Sequence, residues 1–362
     1  MSPFSSPYPV FDGHNDTLVQ LHLSPRAAGR SFFERTTSAR GHLDLPRARA
    51  GGMIGGLYAI WIPPDPEAPN QKTTVSTDDG WAVELADPLD FGYANRFAWD
   101  TVRRVQTLVS DSAGGVVLAT SVQDVQEAIE GGAHAAVLHI EGADPLDEDL
   151  DELHRLYDAG LRSVGLTWSR PNRFAHGVPF RYPSTPDIGP GLTEAGKRLV
   201  TACSAKGLLL DLAHLNEQGF WDVESITDRP LVVSHAGVHA IAPTSRNLTD
   251  KQIDAVAASG GLVGITFYVG DLRPDGKTEA DTPLDLIARH ARYVADRVGV
   301  EHVAFGSDFD GAMVPAALDD AAGYPRVFEA LRNAGFTDED LRQVGTGNWL
   351  RVLGASLRSG GG

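Results

Sequence analysis

His14, Asn15 and Asp16 follow a short approach, Val10-Phe11-Asp12-Gly13, that reads as the end of a β-strand. In an extended segment residues i and i+2 project the same way, so an imidazole and a carboxylate two apart can grip one cation together. Borderline divalent ions such as Zn²⁺ take these ligand types. An ordinary turn fits the same triplet, and its weight comes from what recurs downstream. AAVLHIEG ends in Glu141, LLLDLAH in His214, LVVSH in His235, and VAFGSDFDG delivers Asp308. Two imidazoles, an HxD pair and a further carboxylate are enough for two metal ions, and a Glu between them can give one oxygen to each. Each residue also has a plain structural reading. Asp308 could cap a following helix, Glu141 could pair with an arginine, and a lone His after a strand is commonly hydrogen-bonded structure. Acids gathered at one place would repel each other without cations, and the joint pattern favours a metal centre.

The elements that must position these groups are eight short apolar runs rich in Val, Ile and Leu. They cover residues 10–13, 53–62, 135–141, 163–168, 208–214, 231–235, 262–268 and 303–308. Continuous apolarity indicates strands buried on both faces, as in parallel sheets. Helical patterns lie between them. Thr249 to Gln252 fits a capping box, Thr282-Pro283-x-Asp285 places a cap and an early acid, and Gly160, Gly207, Gly260 and Gly299 sit where helices stop. This alternation predicts an α/β fold, a (β/α)₈ TIM-like barrel, whose active site lies at the C-terminal ends of the strands. The connection from 63 to about 92 is rich in Pro, Asp and Thr and reads as an insertion or lid loop. Extra helices are expected over about 324–334 and 337–353, and a disordered tail over about 358–362. One domain spanning 1–362 is expected.

Composition narrows the function. The 362 residues suit one barrel of roughly 250 residues plus insertions. Hydrophobic residues make up 42%, enough for a substantial core. A net charge of -17, from 31 basic against 48 acidic residues, disfavours nucleic acid and anionic membranes as partners. The one cysteine, Cys203, excludes an intrachain disulfide and reads as a core residue. Residues 1–9 lack the basic and apolar regions of a secretory signal, and no run approaches the roughly 20 apolar residues that span a membrane, so a cytoplasmic protein is expected. There is no GxxxxGK[ST], no GxGxxG after a strand and no GxSxG elbow. Among secondary candidates, Asp211 suits support of a neighbouring ligand and Asp310 a turn at Gly311. His139 could support or simply pack, and His134 is a weak candidate. His42, His154, His290 and His302 read as surface or structure.

DGHND, HIEG, the DLAH and VSH strands, SRN, GSDFDG, the closing GNWLRVL and the segment HLDLPRARAGGM resemble the renal (membrane) dipeptidase family of the metal-dependent amidohydrolases, over about residues 9–354. The resemblance implies two divalent metal ions, usually zinc, with His14 and Asp16 on one, His214 and His235 on the other, and Glu141 bridging. It implies Asp308 as the acid/base carboxylate, Arg246 as the receiver of the substrate carboxylate and Tyr268 as a pocket residue. It also implies a dipeptide substrate with a free C-terminal carboxylate, C-terminal D-residues included, and a homodimer as a common state. No expected strand carries a lysine at its active end, in keeping with a family that needs no carbamylated lysine bridge. One departure stands out. Where many members read LTH after the fourth strand, this chain reads LTWSRPNRFAHG, with Trp168 in place of the histidine. An indole donates one N–H and carries no charge. His176, Arg170 and Arg173 are nearby candidates for the lost electrophilic contact. The departure leaves open a sister hydrolase cutting another small amide or a lactone.

Overall fold

The computed structural model describes residues 7–23, 30–33, 41–68, 74–77 and 80–357. These contain twelve strands: β1 (Val10–Asn15), β2 (Met53–Trp61), β3 (Thr74–Thr77), β4 (Gly80–Val83), β5 (Val116–Leu118), β6 (His134–Glu141), β7 (Leu161–Gly165), β8 (Arg181–Tyr182), β9 (Leu209–Asp211), β10 (Val232–Ala236), β11 (Leu262–Ile265) and β12 (Val303–Phe305). Eight run in the order β1-β2-β6-β7-β9-β10-β11-β12, every pair parallel. Each of the eight apolar runs is one of these strands. Parallel neighbours need long crossovers, and helices supply them. The result is a (β/α)₈ barrel, nearly closed. At the seam between β12 and β1 the ladder thins to a bridge between Asn15 and Phe309, together with backbone bonds from Asp308 N to His14 O (3.0 Å) and from Asp16 N to Phe309 O (2.8 Å).

Several local expectations meet the structure. The Thr249–Gln252 capping box opens the helix Asp250–Ala258. Gly207 stops the helix Glu194–Lys206 at φ 71°, a conformation that glycine adopts without steric cost. The cap expected at Thr282 does not form. The Thr282 hydroxyl turns back to Glu279 O at 2.5 Å, and the helix Asp285–Val298 begins after Leu284 without a side-chain cap. The long helix expected over 337–353 is three pieces, Asp338–Arg342, a π turn Gln343–Gly347 and Asn348–Ser356. The expected tail at 358–362 lies outside the described residues.

Two features were not foreseen. β5 pairs with β6 outside the ring. The connection read as a lid loop carries β3 and β4, which join β8 in a small antiparallel sheet. Among the described residues no helix is long and apolar enough to cross a membrane.

The closing helix Asn348–Ser356 is fastened to the barrel. Trp349 is fully buried against Phe11, and its indole N–H donates to Phe305 O at 3.0 Å. Gly13, next to His14, makes room for that ring. A Cβ at Gly13 would lie 2.7 Å from Phe305 O on β12 and 2.8 Å from Ser234 O on β10, both backbone atoms. Gly13→Ala should therefore cost about 1–3 kcal/mol of stability, the usual penalty for overpacking. A guanidinium unfolding curve would show a lowered midpoint, and an unchanged midpoint would mean that the strands can part without cost.

Candidate metal centre

His14 ends β1 with its imidazole fully buried. Its Nε2 lies 3.6 Å from Asp16 Oδ2 and 3.6 Å from Glu141 Oε2. Glu141 is the last residue of β6, and its other oxygen faces the opposite way. Oε1 lies 3.0 Å from His214 Nε2 and 3.7 Å from His235 Nε2. Two donor groups contain Glu141, one with His14 and Asp16 and one with His214 and His235, and a third joins His14, Asp211 and His235. In each, the donor atoms lie within 4.8 Å of one another. The five residues read from the sequence thus meet at one mouth of the barrel, with Glu141 common to the first two groups.

The supports beneath them explain how the imidazoles are aimed. Asp211, at the end of β9, accepts Ser234 N at 2.8 Å on Oδ1 and the Ser234 hydroxyl at 2.5 Å on Oδ2. That hydroxyl has given its proton away, so it can only accept from His235 Nδ1–H, 2.8 Å distant. The tautomer is thereby fixed, and the His235 Nε2 lone pair faces Glu141 and His214. Asp211 Oδ1 also accepts Ala213 N at 3.0 Å, shaping the turn that leaves His214 at φ 63°. The Ser169 hydroxyl meets His214 Nδ1 at 2.9 Å. A matching clamp stands across the seam. Asp12 accepts Ser307 N and the Ser307 hydroxyl, each at 2.8 Å, and the next residue, Asp308, turns into the mouth at φ 60°.

Charge in the mouth is out of balance. Burial disfavours a charged His14, yet the Glu141 and Asp16 carboxylates outweigh it and hold its pKa well above the ordinary value. Burial also opposes the Glu141 charge, and His14 and His214 outweigh it, keeping that carboxyl well below its usual range. Burial, with Glu141 nearby, pushes Asp16 up to about 6. Burial drives Asp308 well above its usual range; His14 opposes this while Asp16 and Glu141 add to it. Burial keeps His214 and His235 neutral, lowering the first to about 4 and the second well below its ordinary value. Without cations, the crowded acids thus pull the His14 pKa upward while burial raises Asp16 and Asp308. Meanwhile His14 Nδ1 and Nε2 and Asp16 Oδ1 are buried without a hydrogen-bond partner among the described residues. Imidazole and carboxylate donors left without partners among crowded buried acids are the set that a divalent ion such as zinc satisfies.

Beside this cluster opens a pocket of about 480 Å³, bordered by Asp16, Glu141, His214, Arg246, Tyr268 and Asp308 and by the aromatic rings of Trp61, Trp81, Trp168 and Phe180. Arg246 is buried, and among the described residues it makes no salt bridge. Its Nη2 reaches His235 O at 3.4 Å, and its Nε has no partner. Burial pushes the Tyr268 hydroxyl up to about 12, so it remains a proton donor. Trp168 packs against Trp61 (5.3 Å between ring centroids), Phe180 (5.7 Å) and His214 (5.9 Å).

None of the three residues considered as substitutes for the missing histidine borders the pocket. Arg170 is buried behind Trp168 and bonds Asp144 Oδ1 at 3.2 Å and Ile62 O at 3.1 Å. Arg173 lies over the Phe91 ring, and His176 packs beside Gly189. Asp310 does not hold the Gly311 turn, which closes on Asp308 O. Its carboxylate instead accepts His42 N at 2.5 Å and the Thr17 hydroxyl at 2.7 Å. His139 Nδ1 meets the Ser163 hydroxyl at 2.9 Å and its Nε2 lies 3.4 Å from Asp211 Oδ2, while His134 Nε2 meets the Tyr58 hydroxyl at 2.6 Å. His290 is structural, accepting Val238 N at 2.8 Å. Asp12, Ser169, Ser234 and Ser307 were missed. The signal for two of them was present, a serine immediately before His235 and another immediately before Asp308.

The chain matches the family described as Membrane dipeptidase (Peptidase family M19) over residues 2–358. It is 42% identical over 267 residues to a Klebsiella pneumoniae protein described as an uncharacterized protein in the pqqA 5' region, a match covering 74% of this chain and 96% of the relative. Two solved structures share its fold at a TM-score of 0.90. One is the dipeptidase AC, a metallo peptidase of family M19, 38% identical, with 98% of this chain and 100% of the other covered. The second is a metallo peptidase from Rhodobacter sphaeroides liganded with a phosphinate mimic of the dipeptide L-Ala-D-Ala, 37% identical, with 97% and 100% covered.

If Asp211 fixes the His235 tautomer, Asp211→Asn should weaken Zn²⁺ binding by roughly 10- to 100-fold, the usual cost of losing such a support. Competition against a chromophoric chelator would measure it, and unchanged affinity would remove Asp211 from that role.

Proposed function

The chain belongs to the membrane dipeptidase family, peptidase family M19, and is a metal-dependent hydrolase of peptide bonds; from that premise we propose that it cleaves dipeptides with a free C-terminal carboxylate over a pair of divalent ions. The observation that carries this reading is Glu141, one oxygen turned to His14 and Asp16 and the other to His214 and His235. These five residues would hold the two ions, and the donor types favour zinc. Such ions, when bound, supply Lewis acidity and lower the pKa of water.

The remaining chemistry falls to the chain's own groups. Asp308 borders the pocket beside Glu141 and His214. In this reading an Asp308 oxygen takes a proton from the attacking water and delivers it to the departing amine, which leaves poorly unless protonated. Arg246 receives the terminal carboxylate through its planar guanidinium. Among the described residues no carboxylate forms a salt bridge with Arg246, which supports this, because a buried cation needs a counter-ion. It also favours a dipeptide over a lactone, which brings no carboxylate. Tyr268 offers a hydroxyl at the same end, and Trp168 contributes an apolar surface beside His214. The L-Ala-D-Ala mimic held by the Rhodobacter sphaeroides relative supports including C-terminal D-residues among the substrates.

Two substitutions test these roles. Asp308→Asn should lower kcat by roughly 10²- to 10⁴-fold with metal content unchanged; a parallel loss of metal would make Asp308 a ligand and not a proton carrier. Arg246→Ala should raise KM for free dipeptides by roughly 30-fold or more while dipeptide amides change little, and equal losses on both would refute carboxylate recognition.

A further inference from the structure

The strand order divides the barrel mouth into two chemically different halves. Arg246 lies in the connection after β10, Tyr268 after β11 and Asp308 after β12. Across the mouth, Trp61 ends β2 and Trp168 and Phe180 follow β7, while β4, in the connection after β2, carries Val83 and Trp81, the latter bonded to Gly276 O in the connection after β11. All eight residues border the same pocket, with Glu141 on β6 between Trp61 and Trp168, and His214, after β9, between Trp168 and Arg246 in strand order. One half thus carries a cation and an acid, and the other carries rings.

The aromatic half begins where the reacting bond would lie. Trp61 is paired in register with Glu141 on the neighbouring strand, and the Trp168 ring is 5.9 Å from the His214 imidazole. It is also held in place. Trp168 packs against both Trp61 and Phe180. The Trp81 indole N–H donates to Gly276 O at 2.7 Å, and β4 is braced by β8. A preformed wall of this kind binds without first having to be ordered.

Resting on the dipeptidase reading above, we infer that Trp61, Trp81, Val83, Trp168 and Phe180 form the specificity wall for the N-terminal side chain, and that the preferred substrates are dipeptides with a bulky apolar, above all aromatic, first residue. Two extended residues span about 7 Å. A dipeptide anchored by its carboxylate on Arg246, with its amide over Glu141, must carry its first residue onto the opposite half. Aromatic faces reward apolar and aromatic side chains there. Acidic first residues are disfavoured because the rings and Val83 offer no cation to pair with them.

The test uses the full-length zinc-loaded protein and a series with a fixed achiral second residue: Gly-Gly, Asp-Gly, Leu-Gly and Phe-Gly. The expected order of kcat/KM is Phe above Leu above Gly, with Asp lowest, and a Phe-to-Gly ratio of roughly tenfold or more. Trp81→Ala should shrink that ratio by raising KM for Phe-Gly. Val83→Arg should shift preference toward Asp-Gly, a gain that loss of structure cannot produce. A flat series, a preference for Gly or Asp in the unaltered protein, or a Phe-to-Gly ratio that neither substitution moves overturns the inference while leaving dipeptide cleavage intact. Failure to cleave any member of the series overturns the dipeptidase reading of the site and the inference with it.

Discussion

Three carboxylates, those of Asp16, Glu141 and Asp308, converge on one barrel mouth, and their mutual repulsion in a buried setting is the constraint to which the surrounding structure answers. Like charges at close range in a medium less polarisable than water must be neutralised by protons or by cations. The protein's own answer is partial: raised pKa values at His14, Asp16 and Asp308. His14 and Asp16 still keep buried polar atoms without partners. A pair of divalent ions sharing Glu141 would meet the charge imbalance and the orphaned donors together, which is why the proposed chemistry follows from the electrostatics.

Holding such a cluster takes stiff supports, and the chain uses one device twice. Asp211 grips Ser234 on the adjacent strand, and Asp12 grips Ser307 across the seam. In each, one carboxylate takes both the backbone N–H and the hydroxyl of a serine that directly precedes a site residue. The first clamp sets the His235 tautomer. The second joins β12 to β1 where the ladder is thin, so barrel closure and the placing of Asp308 depend on the same bonds. Gly13 and Trp349 keep the opposite side of that seam packed.

How much of this could be read from sequence follows from which interactions are local. The strands were legible because buried parallel strands are continuous apolar runs, and a polar residue ending such a run sits at the C-terminal mouth. That placed His14, Glu141, His214, His235 and Asp308 before any coordinates. The clamps were harder, because the partners of Asp12 and Asp211 depend on register between strands distant in sequence. β5, β3 and β4 span three or four residues, too short for periodicity to mark. Trp168 shows the limit most clearly. Its sequence neighbours Arg170, Arg173 and His176 looked able to replace a missing imidazole, but the loop turns all three away, and Trp61 and Phe180, distant or without charge, are the residues beside it.

The most direct test of the central claim is a crystal structure of the zinc-loaded protein with anomalous data collected at the zinc edge. Two peaks are predicted, one among His14, Asp16 and Glu141 and one among Glu141, His214 and His235, with a Glu141 oxygen on each. A single peak, or two peaks without Glu141 between them, would contradict the account.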